Sequence, residues 1–95
     1  MSVEGLDAVY IGPSDLAISL GNPPSVEPVA DNVIAAIEEI LKVANKHGVK
    51  AGIHCPSGSS VRDKFQKGFD FATISADHRL MAAAAEAEIK AARAT

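Results

Sequence analysis

The stretch "YIGPSDLA", residues 10–17, carries the reading of the fold. Its first half is apolar and runs into Gly12-Pro13, where a strand must stop, and its second half opens a helix. "DAVYIG", residues 7–12, with Val9, Tyr10 and Ile11 ahead of the Gly-Pro, reads as a short buried strand. "SDLAISLG" then predicts a short helix, with Ser14 or Asp15 as N-cap and Gly21 as C-terminal stop.

Outward from this stretch the same alternation repeats. After the Pro-rich loop "NPPSVEP", Val33, Ile37, Ile40, Leu41 and Ala44 recur at helical spacing from about Pro28 to His47, with Glu38, Glu39, Lys42 and Lys46 opposite. "VKAGIHC", residues 49–55, predicts a second strand, "PSGSS" a loop, and residues 59–67 a short helix with Val61 and Phe65 on one face, closed by Gly68. "FDFATIS", residues 69–75, predicts a third strand, and Asp77 is expected to cap a last helix whose Leu80, Met81, Ala84, Ala85 and Ile89 form a thin face of small residues.

Strand, helix, strand, helix, strand, helix implies an α/β fold with parallel strands and right-handed crossovers, since parallel neighbours need a connection long enough to hold a helix. The strands are short and almost uniformly apolar, which predicts cover on both faces. Three strands leave two unpaired edges. A (β/α)8 barrel takes about 250 residues, so three of its units occupy roughly 94, close to this chain.

At 95 residues the chain holds one domain at most, and a compact protein of that size buries only about 65% of the surface its unfolded chain exposes. Hydrophobic content of 47% and charged content of 22% are those of an ordinary globular sequence, and no apolar run is long enough to span a bilayer. Nine basic residues scattered among twelve acids, for a net charge of -3, argue against nucleic acid as a partner. "MSVEGLDA" lacks the charged and apolar regions of a secretory signal, and one cysteine, Cys55, cannot form an intramolecular disulfide, so a cytoplasmic location is expected.

"GLDAVYIGPSDLAISLG", followed by "KAGIHC" and "KGFDFATISADHRLMAAAA", resembles the C-terminal part of the HpcH/HpaI-type metal-dependent pyruvate aldolases, the dihydroxyheptenedioate and keto-deoxy-glucarate aldolase family. The likeness covers nearly the whole chain, and strand-Gly-Pro-small-Asp-Leu is its most specific segment. It implies a (β/α)8 barrel of which residues 1–95 are the C-terminal portion, the last three βα units. It also implies aldol cleavage and condensation of 2-keto acids, pyruvate plus an aldehyde, with Mg2+, Mn2+ or Co2+. Asp15 is then a metal ligand, and the amides of Gly12 and Ser14 receive the pyruvate carboxylate.

The chemistry suits the turn. Hard divalent cations take oxygen ligands and keep positions open for substrate and water. Pyruvate chelated through carboxylate and keto oxygens has its carbonyl polarised, which stabilises the enolate formed as the carbon–carbon bond breaks. Pro13 has no N–H, but Gly12 and Ser14 do, and the following helix turns its positive end to the same spot. The family's second metal carboxylate lies one strand earlier, further back than the fourteen residues before Asp15 allow, and Glu4 is too close to serve. The catalytic Arg and the His-containing acid/base pair belong to earlier units. The metal site in this chain is therefore incomplete, and the chain alone is expected to be a non-catalytic fragment that folds by association.

Other polar residues have plainer readings. His54 ends the second strand and faces the expected barrel mouth, where it touches substrate or is a solitary histidine. Cys55 reads as a buried inert thiol. Arg79, in a first helical turn, opposes the helix dipole and calls for a carboxylate partner. In the family the last helix packs across a subunit interface, which implies a homo-oligomer.

Overall fold

Side chains that alternate along a strand and recur every three to four residues along a helix produce the elements in the expected order. The computed structural model describes residues 1–94. They form β1 (Ala8–Ile11), α1 (Pro13–Ser19), α2 (Asp31–Lys46), β2 (Lys50–Cys55), α3 (Gly58–Lys67), β3 (Phe71–Ile74) and α4 (Asp77–Arg93). The strands lie parallel in the order β1-β2-β3, with Ile11 opposite Ile53 and Ile53 opposite Ala72. The α/β class and the three βα units are as expected. The short α1 is an extra element inside the first crossover, whose main helix is α2.

Several caps differ from expectation. α1 starts one residue earlier, with Gly12 as N-cap and Pro13 in the first position, so neither Ser14 nor Asp15 is the cap. Proline's fixed φ suits that position and its missing N–H costs nothing there. α2 begins at Asp31, not Pro28, after Ala30 in extended conformation. Ala76, not Asp77, caps α4, and the nearly fully exposed Asp77 carboxylate bonds only the next amide, His78 N, at 2.7 Å. Ser57 does cap α3, its Oγ accepting from Ser60 N at 3.2 Å, which extends that helix forward to Gly58.

Helix ends follow the sequence closely. Gly21 stops α1 at φ +81°, with Asn22 N reaching back to Ala17 O at 2.8 Å. Gly48 ends α2 at φ +67°, with Val49 N bonded to Ala44 O at 2.9 Å. Both satisfy carbonyls that the last turn would otherwise leave unpaired, by a left-handed residue that glycine adopts freely.

The core lies on one side of the sheet. Ile11, Ala51, Ile53 and Cys55 face α2 and α3, where Val33, Ile37, Leu41, Ala44, Val61 and Phe69 close over them. Full burial of a side chain such as Ile53 is worth about 1.5–3 kcal/mol. The opposite face carries Tyr10, Gly52, His54, Phe71 and Thr73, and no helix covers it; Tyr10 remains 50% exposed and Phe71 38%. The strands are thus covered on one face, not two. Their apolar character misled because aromatic and small residues occupy the bare face as well.

α4 follows Ser75, which takes φ 54° at the strand exit while its N–H bonds Cys55 O at 2.7 Å. The helix buries none of its residues, and Leu80, Met81 and Ile89 are exposed. Arg79 meets no carboxylate among the described residues, contrary to the expected ion pair. The radius of gyration of 16.4 Å and the longest extent of 59 Å exceed those of a close-packed domain, for which about 13 Å is typical at 100 residues.

Candidate functional site

Parallel strands bring their C-terminal ends to one edge of the sheet, so Gly12, Cys55 and Ser75 leave the sheet at the same end. There the Gly-Pro stop turns β1 directly into α1. Leu16 N donates to Gly12 O at 2.9 Å, closing the first turn. The earlier first-turn amide of Ser14 has no acceptor within the helix, and Pro13 contributes none.

Asp15, the third residue of α1, is exposed and folds back over the turn. A Cβ placed on Gly12 would stand 3.0 Å from Asp15 Oδ2. Gly12 has φ -99° and ψ 101°, a conformation any residue adopts, so the glycine provides room for the carboxylate and not backbone freedom. The Asp15 carboxylate forms no ion pair among the described residues. A single exposed carboxylate fits a hard divalent ion as one ligand. Among the described residues no three His, Cys, Asp or Glu side chains come together to complete such a site.

His54 stands one residue beyond the Ile11–Ile53 pair, on the bare face of the sheet. Its Nδ1 lies 2.8 Å from Thr73 Oγ1, and the Tyr10 hydroxyl bonds the same oxygen. Three adjacent strands therefore each contribute one polar group to a continuous row. Beneath it the Phe71 ring lies over Gly52 and stacks on Tyr10, with centroids 6.2 Å apart and planes 18° from parallel. A Cβ at Gly52 would collide with that ring. Sequence reasoning singled out His54 but not Tyr10 or Thr73. The i, i+2 spacing of Gly52 and His54, and of Phe71 and Thr73, is the signal that places these residues on one face.

On the covered side a second polar group ties the first crossover to α3. Glu27, from the Pro-rich loop, accepts from Ser60 Oγ at 2.7 Å and from Lys64 Nζ at 3.3 Å. Lys64 is buried and also lies 3.6 Å from Asp63, which pairs with Lys67 at 3.2 Å. The hydrogen bond from Lys67 and the charges of both lysines hold the Asp63 carboxyl below the usual carboxylate range. Burial pushes the Cys55 thiol up, only partly offset by Ser60 and Lys64, in keeping with an inert cysteine. Within "PSGSS" the Ser57 hydroxyl caps α3, accepting from Ser60 N, and the Ser60 hydroxyl donates to Glu27. A groove of about 540 Å³ between α2 and α3, lined by Ile34, Leu41 and Phe69 among others, lies away from the strand ends.

No family model matches the chain. Individual proteins do. The chain is 43% identical to a hydroxypyruvate/pyruvate aldolase of Rhizorhabdus wittichii over 94 residues, 99% of this chain and 38% of that protein. It is 37% identical to a pyruvate aldolase of Rhizobium etli, across 90% of this chain and 33% of the relative. A 5-keto-4-deoxy-D-glucarate aldolase of Klebsiella pneumoniae is 36% identical across 80% of this chain and 29% of its own length. The crystal structure of an HpcH/HpaI aldolase/citrate lyase family protein from Burkholderia cenocepacia superposes with a TM-score of 0.88 at 27% identity, covering 96% of this chain and 35% of that one. Among the described residues no helix is long and apolar enough to cross a membrane. Over nearly its whole length the chain is similar to HpcH/HpaI-type aldolases, and it spans about a third of the length of the relatives it matches.

Proposed function

We propose that residues 1–95 supply the last three βα units of a cytoplasmic (β/α)8 aldolase that cleaves and forms bonds between pyruvate and an aldehyde. In this reading Asp15 is one of the carboxylates that hold a divalent ion, Mg2+, Mn2+ or Co2+, and the amides of Gly12 and Ser14 bind the pyruvate carboxylate. When bound, such an ion polarises the keto carbonyl of its substrate. The observation that carries the reading is the turn itself: a strand end, a glycine leaving room for a carboxylate, and a free amide at the end of a parallel sheet where barrel enzymes bind their substrates. The names of the relatives support the substrate class.

The test is pyruvate release from a keto-deoxy acid with added Mn2+, using the complete polypeptide that carries this segment. Asp15→Ala is expected to abolish turnover; undiminished activity overturns the role of Asp15.

A second reading concerns the chain taken alone, and it rests on the lone carboxylate and the uncovered sheet face. It is a non-catalytic (β/α) fragment that folds by association. Calorimetry of the chain with Mn2+ and pyruvate is expected to show no tight binding, and tight binding contradicts the reading. Sedimentation should find a self-associated species, and a stable monomer at high micromolar concentration counts against it.

A further inference from the structure

The row Tyr10, Thr73, His54 has a direction. One threonine hydroxyl sits between a phenol and an imidazole nitrogen, and it owns one proton. If His54 Nδ1 carried a hydrogen, Thr73 would accept from it. Thr73 would then either pass its own proton to Tyr10, making the more acidic phenol the acceptor, or accept from both neighbours and leave its proton without a partner in the row. With Tyr10 donating to Thr73 and Thr73 donating to His54 Nδ1, each hydroxyl proton has an acceptor, and the only donor left over is His54 Nε2–H.

We propose that Tyr10 and Thr73 are positioning residues that hold neutral His54 as the Nε2–H tautomer, a hydrogen-bond donor for an oxygen of a bound keto acid. The ligand class rests on the aldolase reading above; the relay does not. Three features carry it. The donors lie on three neighbouring strands, so the sheet register and not a flexible loop sets their spacing. His54 directly follows Ile53, the register partner of Ile11, and Ile11 leads into the Gly12 turn that holds the Asp15 carboxylate. Phe71, stacked on Tyr10 over Gly52, braces the phenol from below.

Long-range proton–nitrogen correlation spectra of the folded chain, above the titration range of imidazole, read the tautomer of each histidine directly. His47 and His78 lie outside the row and serve as internal controls. In the unaltered chain His54 is expected to show a protonated Nε2 and an unprotonated Nδ1. Thr73→Val should raise its Nδ1–H population, and Thr73→Ser, which keeps the hydroxyl, should restore the original spectrum. Protonation of His54 at Nδ1 in the unaltered chain overturns the proposal, as does an identical spectrum in Thr73→Val and Thr73→Ser. In the complete enzyme, Thr73→Val is expected to raise KM for the keto acid at least threefold, with Thr73→Ser near the original value. Unchanged KM alongside an altered tautomer overturns the ligand role alone. An inactive complete enzyme with an intact tautomer refutes the aldolase reading and leaves the relay standing.

Discussion

The two faces of the sheet are built from the same strands and behave as different materials. On the covered face Ile11, Ala51, Ile53 and Cys55 are sealed beneath α2 and α3, and the other core side chains are aliphatic except Phe69. On the bare face, one residue away along each strand, stand a phenol, an imidazole, a hydroxyl and an aromatic ring, partly open to water. One face holds the fold together. The other has hydrogen bonds and stacking but too little cover to add much stability, and its chemistry is of the kind that lines a binding site.

That contrast can be broken from either side. The largest effect is expected from Ile53→Ala, which leaves a cavity under the helices: about 2–5 kcal/mol, read from urea unfolding. A loss below 1 kcal/mol there would mean that the covered face is not the core. Phe71→Ala, on the bare face, should cost only about 1 kcal/mol, the scale of an aromatic pair. Gly52→Ala forces the Phe71 ring aside and is expected to cost about 1 kcal/mol, with the cost vanishing in a Phe71→Ala background; additive losses would show the ring is not what Gly52 accommodates. Ser57→Ala removes the α3 cap for about 1 kcal/mol.

The smallest effect is electrostatic. Asp63 titrates below its ordinary value near 3.8 in the folded chain, mainly through Lys67. A depressed folded value means the carboxylate adds stability above the unfolded value and loses it as pH falls through the lower, folded one. Asp63→Asn should therefore flatten the acid limb of the stability profile by slightly lowering stability at neutral pH, with no difference from the original chain once the carboxyl is protonated in both states. A steeper acid limb in the variant would reverse the sign.

What the sequence made legible was local. Gly12-Pro13 marks a strand end by chain stereochemistry alone, and the spacing of Val33, Ile37, Leu41 and Ala44 marks α2 by period. Glycines at 21 and 48 end helices for reasons internal to a few residues. The caps of α1 and α4 shifted by a residue or more because several neighbours can serve, and proline's own geometry decides among them only in α1. The one-sided sheet was not legible, since Tyr10 and Phe71 count as apolar whichever way they point. The polar row was hidden for a deeper reason: Tyr10 and Thr73 are 63 residues apart and meet only through pairing of both strands to β2. The contact of Glu27 with Ser60 and Lys64 is of the same kind. The Asp15 turn was readable because all its parts lie within four residues.

α4 buries none of its residues, so nothing but its own composition sustains it. Seventeen residues rich in alanine sit just above the length, about 12–15 residues, at which helices in water become marginal. Its helical content is therefore poised between coil and helix, and any surface that closes on Leu80, Met81 and Ile89 will tip it. Slowed amide exchange confined to residues 77–93 would register that closure from within the chain, making this helix a built-in gauge of assembly.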